Sequence, residues 1–263
     1  MNMLEIVKTR RSVRTFDGNP LRGEDRDKLA EFIQTISNPY EIPIEFVLLD
    51  AEEYGLSSPV LTGETMYVAA KVEKQPYAEE AFGYSFEMLL LYAWSLGIGS
   101  TWIGGTMKRE LFEKAAGRSE NQIMPCISPL GYPAKKMSLR ETLMRKGVKA
   151  DEREPASKLF FDREFFLPLA EENIKTADAL EMVRFAPSAV NRQPWRVVRE
   201  GRNYHFYLKH DRGYVGDATG DLQKVDMGIA ICHFMSGVKG VFGLADPGIP
   251  TEKGIEYIAT ITV

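Results

Sequence analysis

Three stretches of the chain gather residue types that do chemistry. The first, Arg10-Arg11-Ser12-Val13-Arg14, puts three guanidiniums and a hydroxyl into five residues. The planar fork of an arginine matches phosphate oxygens two at a time, and a serine adds a short neutral donor. The plainer reading is a solvated basic face. The second is Ala186-Pro187-Ser188-Ala189-Val190-Asn191-Arg192-Gln193-Pro194-Trp195. Its prolines end a helix and fix the start of a strand. Small residues between them let backbone approach a flat ligand, and the amides of Asn191 and Gln193 both donate and accept. The plainer reading is an ordinary helix-to-strand loop. The third, Gly97 to Gly105, follows a helix and has Trp102 where a dinucleotide fingerprint needs glycine, so it is not a Rossmann motif. Gly97 reads as a helix cap, while Gly104 and Gly105 can present backbone N–H groups to a ligand.

The elements that must hold these stretches repeat in the two halves. Leu29, Phe32, Ile33 and Ile36 mark one face of a helix. Strands are expected at 44–49 and 66–72, a long helix at 77–96, and a strand at 123–130 stopped by Gly131-Tyr132-Pro133. Residues 135–157 are charged and read as an exposed helix and connection. The second half gives a helix at 177–186 and strands at 195–199 and 204–209, joined by a hairpin turn. A core helix marked by Leu222, Val225, Ile229 and Cys232 follows, then a closing strand at 257–263. Each half reads helix, strand, strand, long helix, strand, with a boundary near Lys158 that divides the chain into 1–158 and 159–263.

Composition narrows the partners. There are 33 Lys and Arg against 37 Asp and Glu, a net charge of -4, so no basic excess points to nucleic acid. The uncharged span 88–105 has a dense apolar part far short of the ~20 residues that a bilayer needs, and glycines break it. It reads as a buried helix; with no signal-like apolar core at the amino terminus, a cytoplasmic protein is expected. Cys126 and Cys232 read as buried thiols. His205, His210 and His233 show no metal spacing, and no metal is expected. Tyr77, Phe82, Tyr84 and Phe86 read first as core.

The three stretches, together with Gly131-Tyr132-Pro133, resemble the FMN-dependent nitroreductase family, and the match over 186–195 is the most specific part. The resemblance implies an α+β, nitroreductase-like fold of two related α/β halves whose sheets are flanked by helices. In most members the proline-serine segment follows soon after the arginine motif. Here it lies in the other half, while 36–42 lacks it and the second half lacks an Arg-Arg-Ser. Family members are homodimers with FMN at the subunit interface, one motif coming from each subunit. The chain is thus similar to the single-chain, pseudo-dimeric branch, with one complete site retained and a monomer expected.

By that resemblance Arg10, Arg11, Ser12 and Arg14 hold the phosphate and ribityl groups. Pro187, Ser188, Ala189, Asn191 and Gln193 line the flavin from the other half. Ile103, Gly104 and Gly105 approach its ring, with the backbone N–H of Gly104, joined by that of Gly105, toward N5. Arg153 stands in Asp151-Glu152-Arg153-Glu154-Pro155 where the family has Lys-x-Arg-x-Pro, and Lys135 and Lys136 are substitutes for the missing lysine. The cofactor performs the redox step, so no catalytic side chain is implied. The implied reaction is NAD(P)H oxidation with transfer to a nitro compound, quinone or similar acceptor. The alternatives are a non-catalytic flavin-binding or flavin-storing protein, and other flavin chemistry such as reductive dehalogenation or flavin destruction.

Overall fold

A computed structural model describes residues 2–170 and 173–263. The chain opens with helix α1 (Met3–Thr9), started by a capping box in which Asn2 accepts from Glu5 N and Glu5 from Asn2 N. Helix α2 (Gly23–Thr35), strands β1 (Glu45–Asp50) and β2 (Met66–Glu73), helix α3 (Ala78–Ser95) and strand β3 (Gly99–Ser100) follow. Next come α4 (Arg109–Ala115), β4 (Gln122–Ile123), β5 (Ile127–Gly131) and α5 (Leu139–Gly147). Beyond Lys158 lie β6 (Phe160–Asp162), α6 (Ile174–Phe185), β7 (Trp195–Glu200), β8 (Asn203–Lys209), β9 (Val215–Gly216), β10 (Gly220–Asp221), α7 (Leu222–Gly237), β11 (Val241–Gly243) and β12 (Ile255–Thr262).

Two sheets share one pattern of neighbours. The first runs β1-β2-β5-β3, with β4 also on β2, and the second runs β11-β12-β8-β7-β6. Along β1-β2-β5-β3 and along β7-β8-β12-β11 every pairing is antiparallel. β6 adds a parallel edge on β7, and β9 and β10 form a small separate pair. Side chains alternate as the pleat requires. Val68, Ala70 and Val72 of β2 face the main core, while Tyr67 and Ala69 face a second cluster with Phe112 and Met124. On the other sheet, Trp195 and Val197 turn to the main core and Val198 turns to a small outer cluster with Phe161 and Tyr207.

The main core lies between the sheets and is filled by α3 and α7. Both helices are buried over most of their circumference, so their sequences read apolar on nearly every face. A Cβ on Gly83 would lie 2.1 Å from Val225 O, and one on Gly228 2.0 Å from Glu80 O. The contact is reciprocal: each helix offers a glycine to a carbonyl one turn from the other's glycine. Phe82, Phe86 and Leu89 of α3 thereby join Ile229, Ile231 and Phe234 of α7 in one continuous core that crosses Lys158.

The expected strand at 123–130 is two strands. Pro125 has no N–H to give a ladder, and Met124 N instead donates to Ala218 O across the molecule, at 3.1 Å. The helix expected at 177–186 begins earlier, at Ile174, because Asn173 caps it by accepting from Lys175 N and Thr176 N. Gly97 does end α3 in the left-handed conformation, at φ +80°.

The helix crossing makes two predictions. Gly228→Ala must push α7 off Glu80 O, and the loss of stability should be at least about 3 kcal/mol in urea unfolding. Glu80 is buried beside the crossing; burial pushes its carboxyl from an ordinary 4.5 up to about 7, and its Oε2 has no partner. A carboxyl raised on folding costs stability as pH climbs from its unfolded value through its folded one. Glu80→Gln should therefore gain on the native protein between pH 4.5 and about 7 and hold that lead above, up to roughly 3 kcal/mol. A difference in melting temperature that stays flat across that range would remove the assignment.

Candidate functional site

After α1 the backbone runs extended, and the arginine motif lies against the edge of the first sheet. Ser12 bridges Ser100 of β3, and Val13 N donates to Ser100 O at 2.8 Å. Val13 is fully buried where Gly99 makes room: a Cβ there would sit 2.8 Å from Val13 Cγ2. With Val13 facing in, alternation puts Arg10, Ser12 and Arg14 on the opposite side. They line a cavity of about 420 Å³, within the size range of small-molecule sites.

The far wall comes from the other half. Ala186 leaves α6 in an extended conformation, and Pro187, Ser188, Ala189 and Asn191 reach the same cavity. Val190, Asn191 and Gln193 hold φ of +45°, +57° and +51°, left-handed backbone that costs a non-glycine residue of order 1 kcal/mol or more each. Neighbours impose it. Ala189 N donates to both carboxyl oxygens of Asp226 on α7, at 3.0 and 3.2 Å, and Gln193 N donates to Ser188 Oγ at 2.9 Å. Asn191 Nδ2 donates to Lys149 O and Glu152 O at 2.8 and 3.0 Å. Its amide therefore ties down the connection that carries Arg153 and is not left over for a flavin edge.

Gly104 and Gly105 also line the cavity, beside Thr101 and Trp102. Arg109 gathers the carbonyls of Gly104 and Met124 at 2.6 and 2.7 Å and so fixes this loop. The peptide that follows Gly104 is trans, so Gly105 N–H points the opposite way from the carbonyl held by Arg109. Two expected residues lie elsewhere. Ile103 is buried in the second cluster, paired with Ile127 across a backbone bridge, because its side chain belongs to the face of the sheet turned away from the main core. Gln193 is buried below the loop, where its Oε1 accepts from Glu154 N at 2.9 Å. Lys135 and Lys136 do not reach the cavity either.

The connection after β5 does more than the exposed link expected from its charge. Ser138 caps α5, and Glu141, buried, accepts from Arg11 Nη1 at 3.1 Å and Thr15 Oγ1 at 2.7 Å. This anchor turns Met144, Arg145 and Val148 onto the cavity. Arg145 donates to Ser12 O and pairs with Asp151. A further cation at the cavity is thus Arg145, one turn beyond Glu141. Asp226 was also missed; its only signal is an acid in the otherwise apolar face of Leu222, Val225 and Ile229.

The cavity is cationic on one side. Burial lowers the Arg14 guanidinium, with Arg145 and Arg10 adding to the shift against Glu141. Burial lowers Arg153 too, with Arg10, Arg184 and Arg145 adding to it against Asp151. Arg10 Nη1, Arg153 Nε and Thr101 Oγ1 are buried polar atoms with no protein partner. Donors left unmatched at a cationic end call for an anion with several oxygens. Burial drives the Asp226 carboxyl well above its ordinary range, against the hydrogen bond from Ala189 N. The remaining wall is apolar, with Trp102, Leu222, Val225 and Ile229. A phosphate-bearing group with a flat aromatic body fits both parts.

A family described as "Putative TM nitroreductase" matches residues 2–238. The chain belongs to this nitroreductase family. It is similar over its whole length to the structure of a nitroreductase from Thermotoga maritima, with a TM-score of 0.63, 19% identity and 94% of that chain covered. It is 27% identical over 147 residues to an NADH dehydrogenase/NAD(P)H nitroreductase of Archaeoglobus fulgidus, covering 49% of this chain and 84% of that protein. A Bacteroides fragilis nitroreductase with bound FMN matches 53% of this chain and 92% of its own at 24% identity and a TM-score of 0.43. The shared fold is the nitroreductase fold, α+β with two sheets flanked by helices. Among the described residues no helix is long and apolar enough to cross a membrane.

The α5 anchor is testable. Glu141→Ala strands the guanidinium of Arg11 and the hydroxyl of Thr15, and about 2 kcal/mol of stability should go with it. Amide protons of residues 139–147 should exchange faster than in the native protein; unchanged protection there would show that α5 is held by something else.

Proposed function

We propose that the protein is an FMN-dependent oxidoreductase that takes reducing equivalents from NAD(P)H and passes them to a nitroaromatic, quinone or similar small acceptor. One observation carries the reading: the arginine motif of the first half and the proline-serine segment of the second line a single cavity with unmatched cationic donors. Family membership supports the redox class, and the name of the Archaeoglobus fulgidus relative supports NAD(P)H as donor. FMN, when bound, supplies the electron transfer itself.

The chain's own residues bind and orient. Arg10, Arg14, Arg145 and Arg153 neutralise the phosphate, with the Ser12 and Thr101 hydroxyls beside them. Pro187, Ser188 and Ala189 line the same cavity as Trp102 and the α7 residues Leu222 and Val225, and would enclose the ring system. Gly105 N–H offers a donor from the first half. The cations favour an electron-rich ligand over an electron-poor one.

The chain carries one site because it is a fused pair of related halves. The repeated sheet order and the reciprocal glycine contact support this. The spacing that relates Gly83 to Gly228 also relates Tyr77 to Leu222 and Glu80 to Val225. Where α2 ends, Glu41 has φ +57°, as Asn191 has after α6, so Tyr40 stands in the place of Val190. Tyr40 stacks on Tyr77 with centroids 5.8 Å apart and meets Phe242 at 4.7 Å. Aromatic side chains thus fill the counterpart of the cavity.

The purified protein should carry one FMN per chain, and anaerobic NADH or NADPH should bleach it. Arg14→Ala should weaken FMN about tenfold to hundredfold by fluorescence titration. Two flavins per chain, or none, would sink the single shared site; a bound flavin that neither nucleotide reduces would make the protein a flavin carrier.

A further inference from the structure

Beside the cavity lies a buried polar group that the binding reading does not use. Glu87 of α3 and His233 of α7 are both fully buried, one from each half of the chain. His233 Nε2 lies 2.9 Å from Glu87 Oε1, and its Nδ1 lies 2.8 Å from Met182 O on α6. Glu87 Oε2 accepts from Trp102 Nε1 at 2.9 Å. Arg10 Nε stands 3.8 Å from Glu87 Oε1, an ion-pair distance too long for a hydrogen bond.

The partners fix the protons. A carbonyl oxygen only accepts, so His233 Nδ1 must carry a hydrogen. Burial acts to raise the Glu87 carboxyl, but Arg10, His233 and Trp102 outweigh it and hold the group below its usual value, as a carboxylate. A neutral ring would then aim the Nε2 lone pair at a carboxylate oxygen, which is repulsive. Both ring nitrogens therefore donate, and Glu87 and His233 cancel one another's charge. What remains of the group is the charge of Arg10, which lines the cavity and whose Nη1 is buried without a partner.

We propose that His233 is a charge-setting, positioning residue: it neutralises Glu87, so that the full charge of Arg10 is available to an anionic ligand in the cavity. Without the proton on His233, Glu87 becomes the counter-ion of Arg10 and competes with that ligand. The inference rests on the anion-binding reading above. It concerns residues that do not touch the ligand, and it explains why a histidine from the second half is buried against a glutamate of the first.

Three variants and one spectroscopic measurement test it. His233→Gln keeps a neutral donor toward Glu87 but removes the charge; FMN titrated into the flavin-free protein should bind about tenfold more weakly or worse. In Glu87→Gln/His233→Gln the uncompensated carboxylate is gone, and FMN affinity should return to within about threefold of Glu87→Gln alone. A purely structural role predicts that the double variant is at least as impaired as His233→Gln, and that result would overturn the proposal. Independently, the nitrogen-15 spectrum of the native protein, with only three histidines to assign, should show both His233 ring nitrogens bearing hydrogen at neutral pH. A singly protonated ring overturns the proposal even if no variant folds. Failure of the native protein to bind FMN would strike the proposed function instead, and the spectrum would still decide the charge state of the pair.

Discussion

The close crossing of α3 and α7 governs the rest of the molecule. Two glycines let each helix bring a backbone carbonyl to where a side chain would otherwise stand. That spacing welds the two sheets onto one core and sets how far apart the two halves hold their loops. The cavity exists because this contact leaves one face of α7, from Leu222 to Ile229, looking toward the arginine motif. The same contact brings Glu87 of α3 to His233 of α7 and, through Glu87, to Arg10. Packing and electrostatics at the site therefore have a common geometric origin.

The reciprocity of that crossing makes the asymmetry of the molecule informative. Both ends of the helix pair start from related surroundings, yet one end is open and cationic and the other is filled. The difference lies in a few side chains. Leu222 and Val225 leave space where Tyr77 and Glu80 occupy it, and Val190 stays on the rim where Tyr40 turns inward against Phe242.

Much of this was legible in the sequence, and the limits are physical. The long apolar helices, the hairpin of β7 and β8, and the Gly97 cap follow from local propensity and periodicity, which act within a few residues. The two halves of the cavity were legible because each is a dense run of unusual residue types. Residues that depend on distant partners were not. Arg145 sits in a segment as charged as any solvated helix, and only the buried Glu141 under Arg11 and Thr15 turns it inward. The amide of Asn191 looked available because its partners, the carbonyls of Lys149 and Glu152, lie some forty positions earlier in the chain. Ile103 and Gln193 were carried along by their neighbours in the motifs; a one-residue step in an extended or tightly turned backbone moved each side chain to the other face. His233 read as core, which it is. Nothing local could show that it meets a glutamate.

The buried arginines are the costly part of the design. Guanidiniums withdrawn from water lose hydration, and a carboxylate beside each would compensate most simply. At this cavity Asp151 pairs with Arg145, and the other acids have further partners. Glu141 is shared between Arg11 and Thr15, Asp226 is driven toward its uncharged form, and Glu87 is matched by His233. Such a cluster of buried cations carries an electrostatic cost that an anionic ligand would relieve. The left-handed loop of Val190 and Asn191 adds a conformational cost of the same kind. A fold welded so tightly at α3 and α7 can tolerate both costs a short distance away.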